Sequence, residues 1–188
     1  MSITPPNRPR LTRTELEERI RAAFSVEPAD LPPFYIAGIP GYYRDSMGET
    51  GKNDRNMYDD ALYVVSPNAF AAFNGNTDPS HRRRGIATLE PGLWPVYQFD
   101  IHGGSVRHPA ICQRQGPVSV RRDETGLDTG NFGINIHRGG TGTTSSLGCQ
   151  TVPPKQWDAF YELAKTEAQR VYGKAWNRAR IMYILLPE

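Results

Sequence analysis

Apolar and polar positions change their spacing several times along the chain. From Leu11 to Phe24 the residues Leu16, Ile20, Ala23 and Phe24 recur at helical intervals, which predicts an N-terminal helix with Thr14 and Glu17 as its capping box. A proline-rich stretch at 28–33 ends it, and residues 1–10 read as a flexible proline-rich arm. Strands are predicted at Phe34–Ile39 and Ala61–Val65, separated by a polar Asp/Asn/Gly loop over 44–60. Pro67–Phe73 reads as a helical turn and 74–85 as a second polar loop, followed by strands at 94–101, 110–121 and 131–137. The longest periodic run is 154–172. There Pro154 opens a helix whose Trp157, Phe160, Tyr161, Ala164, Ala168 and Val171 share a face. Ile181–Leu186 closes the chain as a buried strand.

No repeat or linker divides this pattern. The expectation is one domain over 1–188: an arm and helix to 33, strands and loops to 84, and a core from 85. The fold class is mainly β (α+β), with an early helix and a late one. Composition supports short strands joined by many turns, since 18 Gly and 16 Pro are spread along the 188 residues. A net charge of +2 is too small to argue for nucleic acid, and the basic run His81-Arg82-Arg83-Arg84 reads as a solvated loop. No stretch has the length of a transmembrane helix, and the N-terminus lacks the apolar core of a secretory signal. The expectation is a monomer made in the cytoplasm. Anything it does outside the inner membrane would need another protein for delivery, a holin or a secretion system.

Two cysteines are too few for a disulfide framework, which leaves thiol chemistry open. Cys112, in the apolar run Ala110-Ile111-Cys112, reads as a buried thiol. Cys149 is different. It follows Gly148 in Ser146-Leu147-Gly148-Cys149, at the end of a glycine-rich return that begins at His137. An imidazole beside a thiol raises its nucleophilicity by forming an ion pair, and a glycine next to it lets backbone amides approach a developing oxyanion. Ser146 is a candidate to support the histidine or to cap a turn. Asp100, His102 and His108, with His137, form a competing set with zinc-ligand chemistry; the reading without metal is preferred, and no cofactor is expected.

Ile136-His137, the glycine-rich loop and Ser146-x-Gly148-Cys149 together resemble the signature of the L,D-transpeptidase catalytic domain (the YkuD-type family). Thr88-Leu89-Glu90-Pro91-Gly92-Leu93-Trp94 resembles the family's entry into a core strand, and the likeness spans roughly 85–186. It implies a β-sandwich or open barrel and a cysteine nucleophile. It also implies a histidine base oriented by a backbone carbonyl, and peptidoglycan stem peptides as substrate. Hydrolysis in the manner of a phage endolysin is favoured; cross-link formation, or a wall-binding phage protein without turnover, is the alternative. Thr151 stands where the family often has Arg and Leu147 where many members have His. Arg138, Gly139, His102 and Trp94 are the candidate substrate contacts, with Arg138 equally readable as a solvated charge.

Overall fold

Strands that read as unbroken apolar runs lie at the centre of the fold. The computed structural model describes residues 2–103 and 107–188. In chain order the elements are α1 (Arg13–Phe24), β1 (Tyr35–Ile39), β2 (Asp60–Ser66), β3 (Ala69–Gly75), β4 (Ala87–Leu89), β5 (Gly92–His102), β6 (His108–Gln113), β7 (Val118–Arg122), β8 (Gly126–Gly130), β9 (Ile136–Arg138), β10 (Gln150–Val152), α2 (Pro154–Tyr172) and β11 (Ile181–Leu185). The fold is mainly β with two α-helices. Eight strands form one sheet in the order β10-β9-β6-β5-β11-β1-β2-β3.

That sheet nearly closes on itself. Asn76, just past β3, exchanges both backbone hydrogen bonds with Thr151 of β10, at 2.9 and 2.8 Å, so the two edges meet. Closure removes the exposed edges that would otherwise invite pairing with other chains. β4, β7 and β8 make a small separate sheet.

Every residue of β1 and β2 is buried, because both of their faces are covered. Leu16 and Ile20 of α1 pack with Tyr35, Ala37, Ile39, Tyr63 and Val65 on one face. Trp157, Phe160, Ala164 and Ala168 of α2 pack with Ile36, Leu62, Val64 and Phe73 on the other. No helix among the described residues is long and apolar enough to cross a membrane.

Several expectations are corrected. The helix cap is Thr12, whose hydroxyl accepts from the Glu15 amide while the Glu15 carboxylate accepts from the Thr12 amide. The chain contains two overlapping capping boxes. The Leu11 amide is held by the Tyr63 hydroxyl at 3.1 Å, and this anchor selects the earlier one. The arm is tied to the body from Ile3 onward: the Ile3 carbonyl accepts from the Tyr58 amide, and Arg8 lies over the Phe73 ring.

Residues 69–75 form a strand and not a helical turn. The Ser66 hydroxyl accepts the amides of Asn68 and Ala69, and β2 and β3 pair as a hairpin whose register outweighs the alanine content. The single strand expected over 110–121 breaks in two at Gly116-Pro117, where proline has no amide for a ladder. Of 131–137, only the end pairs as a strand. The Gln113 side-chain carbonyl instead takes the amides of Phe132, Gly133 and Ile134.

Candidate active site

The parallel pairing of β9 with β10 sets Thr151 opposite His137 and brings Cys149 back beside Asn135. The Asn135 amide donates to Cys149 Sγ at 3.4 Å, and the thiol donates to the Gly133 carbonyl at 3.5 Å. Among the described residues, His137 is not a hydrogen-bond partner of Sγ. Burial pushes the Cys149 thiol up to about 11, with the Asn135 amide opposing.

His137 is 6% exposed, and its Nδ1 lies 2.8 Å from the Arg138 carbonyl. A carbonyl only accepts, so Nδ1 carries the proton and Nε2 keeps a free lone pair. Burial pushes this imidazole down to about 4; the Arg138 carbonyl opposes, while His102 and His108 add to the effect. Thiol and imidazole are therefore both neutral near pH 7, where the sequence suggested an ion pair. The arrangement suits attack with simultaneous proton transfer to Nε2.

His102 stacks on His137, with centroids 4.4 Å apart and planes 18° from parallel. Its Nδ1 lies 2.8 Å from the Asn135 side-chain nitrogen. The Asn135 carbonyl oxygen is already taken by the Gln113 amide at 2.9 Å, so its NH2 group faces the ring. His102 Nδ1 must then accept, which places the proton on Nε2. His108 completes the group, its ring 5.2 Å from that of His102 and 5.8 Å from that of His137. Strand alternation explains the gathering: His102 faces His108 across β5 and β6, while Phe99 and Ile111, of opposite parity, enter the core.

The return loop is built on close contacts. Gly148 has φ +127°, and a Cβ there would sit 2.4 Å from the Ala87 carbonyl, so only glycine fits. Its amide is given to the Ser146 hydroxyl at 3.0 Å, and that hydroxyl donates to the Cys149 carbonyl at 2.7 Å. Ser146 thus ties the turn, and the Gly148 amide expected to face an oxyanion is engaged. Gly139 is buried against Tyr58, whose hydroxyl a Cβ would meet at 2.2 Å. Its place is in packing, away from a substrate surface. Arg138 orients His137 through its carbonyl, and its side chain is exposed.

Trp94 is not at this site. It lies eight residues before His102 on β5, roughly 25 Å away at about 3.3 Å per residue, and its indole N–H donates to the Glu90 carbonyl. Asp100 also leaves the competing zinc set, because its carboxylate is held by Arg114 at 2.7 Å. Cys112 and Cys149 are both free thiols. Asn135 and Gln113 carry no reactive group, so the sequence alone does not single them out. The readable signal was Asn135-x-His137, which places both side chains on one face of a strand. Comparison with protein-family models, curated proteins and solved structures finds no match.

Proposed function

We propose that this chain is a cysteine-dependent acyl-transfer enzyme of the L,D-transpeptidase type, acting on peptidoglycan stem peptides. Cys149 is the nucleophile and His137 the general base. The observation that carries this reading is the Nδ1–H bond from His137 to the Arg138 carbonyl at 2.8 Å, which leaves Nε2 as a free base on the strand beside the thiol. A backbone carbonyl orienting the histidine is what the resemblance implies.

In this mechanism the thiol proton leaves the Gly133 carbonyl for Nε2 as sulfur bonds to the scissile carbonyl carbon. The imidazolium then returns the proton to the departing amine as the C–N bond breaks, giving a thioacyl-enzyme. With the Gly148 amide engaged, the Cys149 amide is the backbone donor left to the oxyanion from that pair. Water resolving the thioacyl bond gives hydrolysis, and the amino group of a second stem gives a cross-link. Thr151, buried opposite His137, offers no cation to a second stem's carboxylate, which favours water.

The test is incubation of purified stem tetrapeptides with the wild type and with Cys149→Ala, read by mass spectrometry of products and of the intact protein. The expected result is an acyl adduct on Cys149 in the wild type and a loss of turnover of about 10³-fold or more in the variant. Equal turnover by both would overturn the thiol mechanism. Wall binding without turnover by either would support a non-catalytic protein instead.

A further inference from the structure

We propose that His102, His108 and His137 form a site for one borderline divalent transition-metal ion of the Zn²⁺ type, and that the ion competes with acyl transfer for Nε2 of His137. The second half of this statement rests on the function proposed above; the site itself does not.

One ligand nitrogen from each ring lies within 4.8 Å of the other two, on three adjacent strands. Zn–N bonds of about 2.0–2.1 Å in a tetrahedral arrangement set nitrogens roughly 3.4 Å apart, so the His102–His137 stack has to open, by rotation of a ring out of its parallel position, for the set to close on one ion. Cys149 and Asp100 do not belong to this cluster among the described residues.

His108 supplies the independent sign of a missing partner. Its Nε2 is buried and makes no hydrogen bond among the described residues. A buried ring nitrogen without a partner is costly, and a metal ion would satisfy it. His137 is already arranged as a ligand, with Nδ1–H on a carbonyl and the Nε2 lone pair free. Three imidazoles without a carboxylate suit zinc-type ions over calcium or magnesium, and the fourth position is left for water.

His102 sets the strength of the site. Coordination through Nε2 moves its proton to Nδ1, where the Asn135 NH2 group now donates. The Asn135 amide would have to turn, and the Gln113 amide would lose its acceptor. Asparagine at 135 therefore favours reversible occupancy. A carboxylate there would accept from Gln113 and from His102 Nδ1–H together, and would tighten binding.

The test is titration of chelator-treated protein with Zn²⁺ by calorimetry and with Co²⁺ by absorption spectroscopy. We expect one equivalent to bind wild type and Cys149→Ala alike, with no thiolate charge-transfer band. Both His108→Ala and His108→Gln should weaken binding by at least about tenfold, and Asn135→Asp should tighten it about 10- to 100-fold. Circular dichroism checks that each variant is folded. Stoichiometric binding absent from the wild type, unchanged in both folded His108 variants, or lost in Cys149→Ala would overturn the site. If turnover is present, Zn²⁺ should inhibit it with a constant that rises in His108→Gln in step with the dissociation constant. Turnover insensitive to bound Zn²⁺ would overturn the competition. A protein without turnover would refute the enzyme and leave the binding result standing.

Discussion

The histidine face and the acidic cleft are both regions where titratable groups are buried, and they solve the problem in opposite ways. At the histidine face three rings are stacked or edged together, each of His102 and His137 has one nitrogen engaged, and Asn135, whose side chain meets His102, gives its backbone amide to a thiol. The cleft, of about 1040 Å³, is bordered by Asn53, Asp54, Arg55, Asp78, Ser80 and Arg121. Beneath it Asp59 and Asp60 are buried, and oxygens of Asp59 and Asp78 have no partner among the described residues. The thiol does not line this cleft. Volume and the candidate thiol are separated here, so this cleft does not mark the proposed nucleophile. The cleft acts instead as a brace. Ser80 holds Ser146 through two hydrogen bonds at 2.9 and 2.8 Å, and Asp60 holds the amide and hydroxyl of Thr77, next to the Asn76–Thr151 closure.

If one region carries chemistry and the other support, substitutions should separate rate from stability. The largest stability effect is expected where the two meet. Gly148→Ala places a methyl 2.4 Å from the Ala87 carbonyl at a φ that L-residues avoid. A cost of about 4 kcal/mol follows from strain plus overpacking, which lowers Tm by about 10 °C and removes turnover. Calorimetry checks it, and an unchanged Tm would show that the loop can yield. Asp60→Ala comes next. It strips acceptors from the Gly41 amide and from both Thr77 donors, at about 3 kcal/mol, while turnover per folded molecule stays within about twofold. A rate that fell with Tm unchanged would move Asp60 from support to chemistry.

Local signals were legible and long-range ones were not. The helix from Pro154 to Tyr172 has the bounds its spacing predicts, because its opening proline, length and apolar face are all local. His137 and Cys149 could be paired because a short glycine-rich return joins them. The closure between Asn76 and Thr151 could not, since two residues 75 apart exchange only backbone bonds. His108 joins His137 by strand order, and no spacing in the chain encodes that β6 lies between β5 and β9. The Gly148 amide illustrates a subtler limit. The sequence suggests a glycine that opens space for an oxyanion, but Ser146, two residues earlier, supplies a hydroxyl that takes the amide.

Proton linkage separates the regions by sign. Burial pushes the Asp78 carboxyl up to about 8, with Asp59 adding repulsion and Arg55 opposing. Burial also pushes Asp59 up to about 6, against the Asp54 amide that its carboxylate accepts. Both exceed the ordinary value of 3.8, so the folded chain keeps protons that the unfolded chain has released. Their contribution is full below about pH 4 and is lost as pH rises through about 6 and then about 8. His137 runs the other way. Lowered from 6.5 to about 4, it adds stability as pH rises across that interval. The regions oppose each other there; above it the carboxyls act first, and the thiols, raised from 9.0 to about 11, add to the fall only at more alkaline pH. The unfolding free energy, and with it the wild-type Tm, should therefore fall between about pH 6.5 and 8.5, the free energy by a few kcal/mol at most. Asp78→Asn should flatten that fall; an equally steep fall in the variant would place the proton elsewhere.

The smallest effect is expected from Arg138→Ala, and it is the one that best tests how the histidine is held. Two roles are open to Arg138: its carbonyl orients His137, and its exposed guanidinium could meet a substrate carboxylate. Alanine keeps the first and removes the second. If orientation is the residue's whole contribution, kcat/KM on a stem tetrapeptide should change by less than about threefold, under about 0.7 kcal/mol, with the pH dependence of kcat unmoved. A charge that grips the stem would appear differently, as a rise in KM of about tenfold or more that weakens with salt. The first outcome would assign the histidine's orientation to backbone alone. The second would make Arg138 the cation that Thr151 does not supply, and would draw the substrate across the histidine face, away from the acidic cleft.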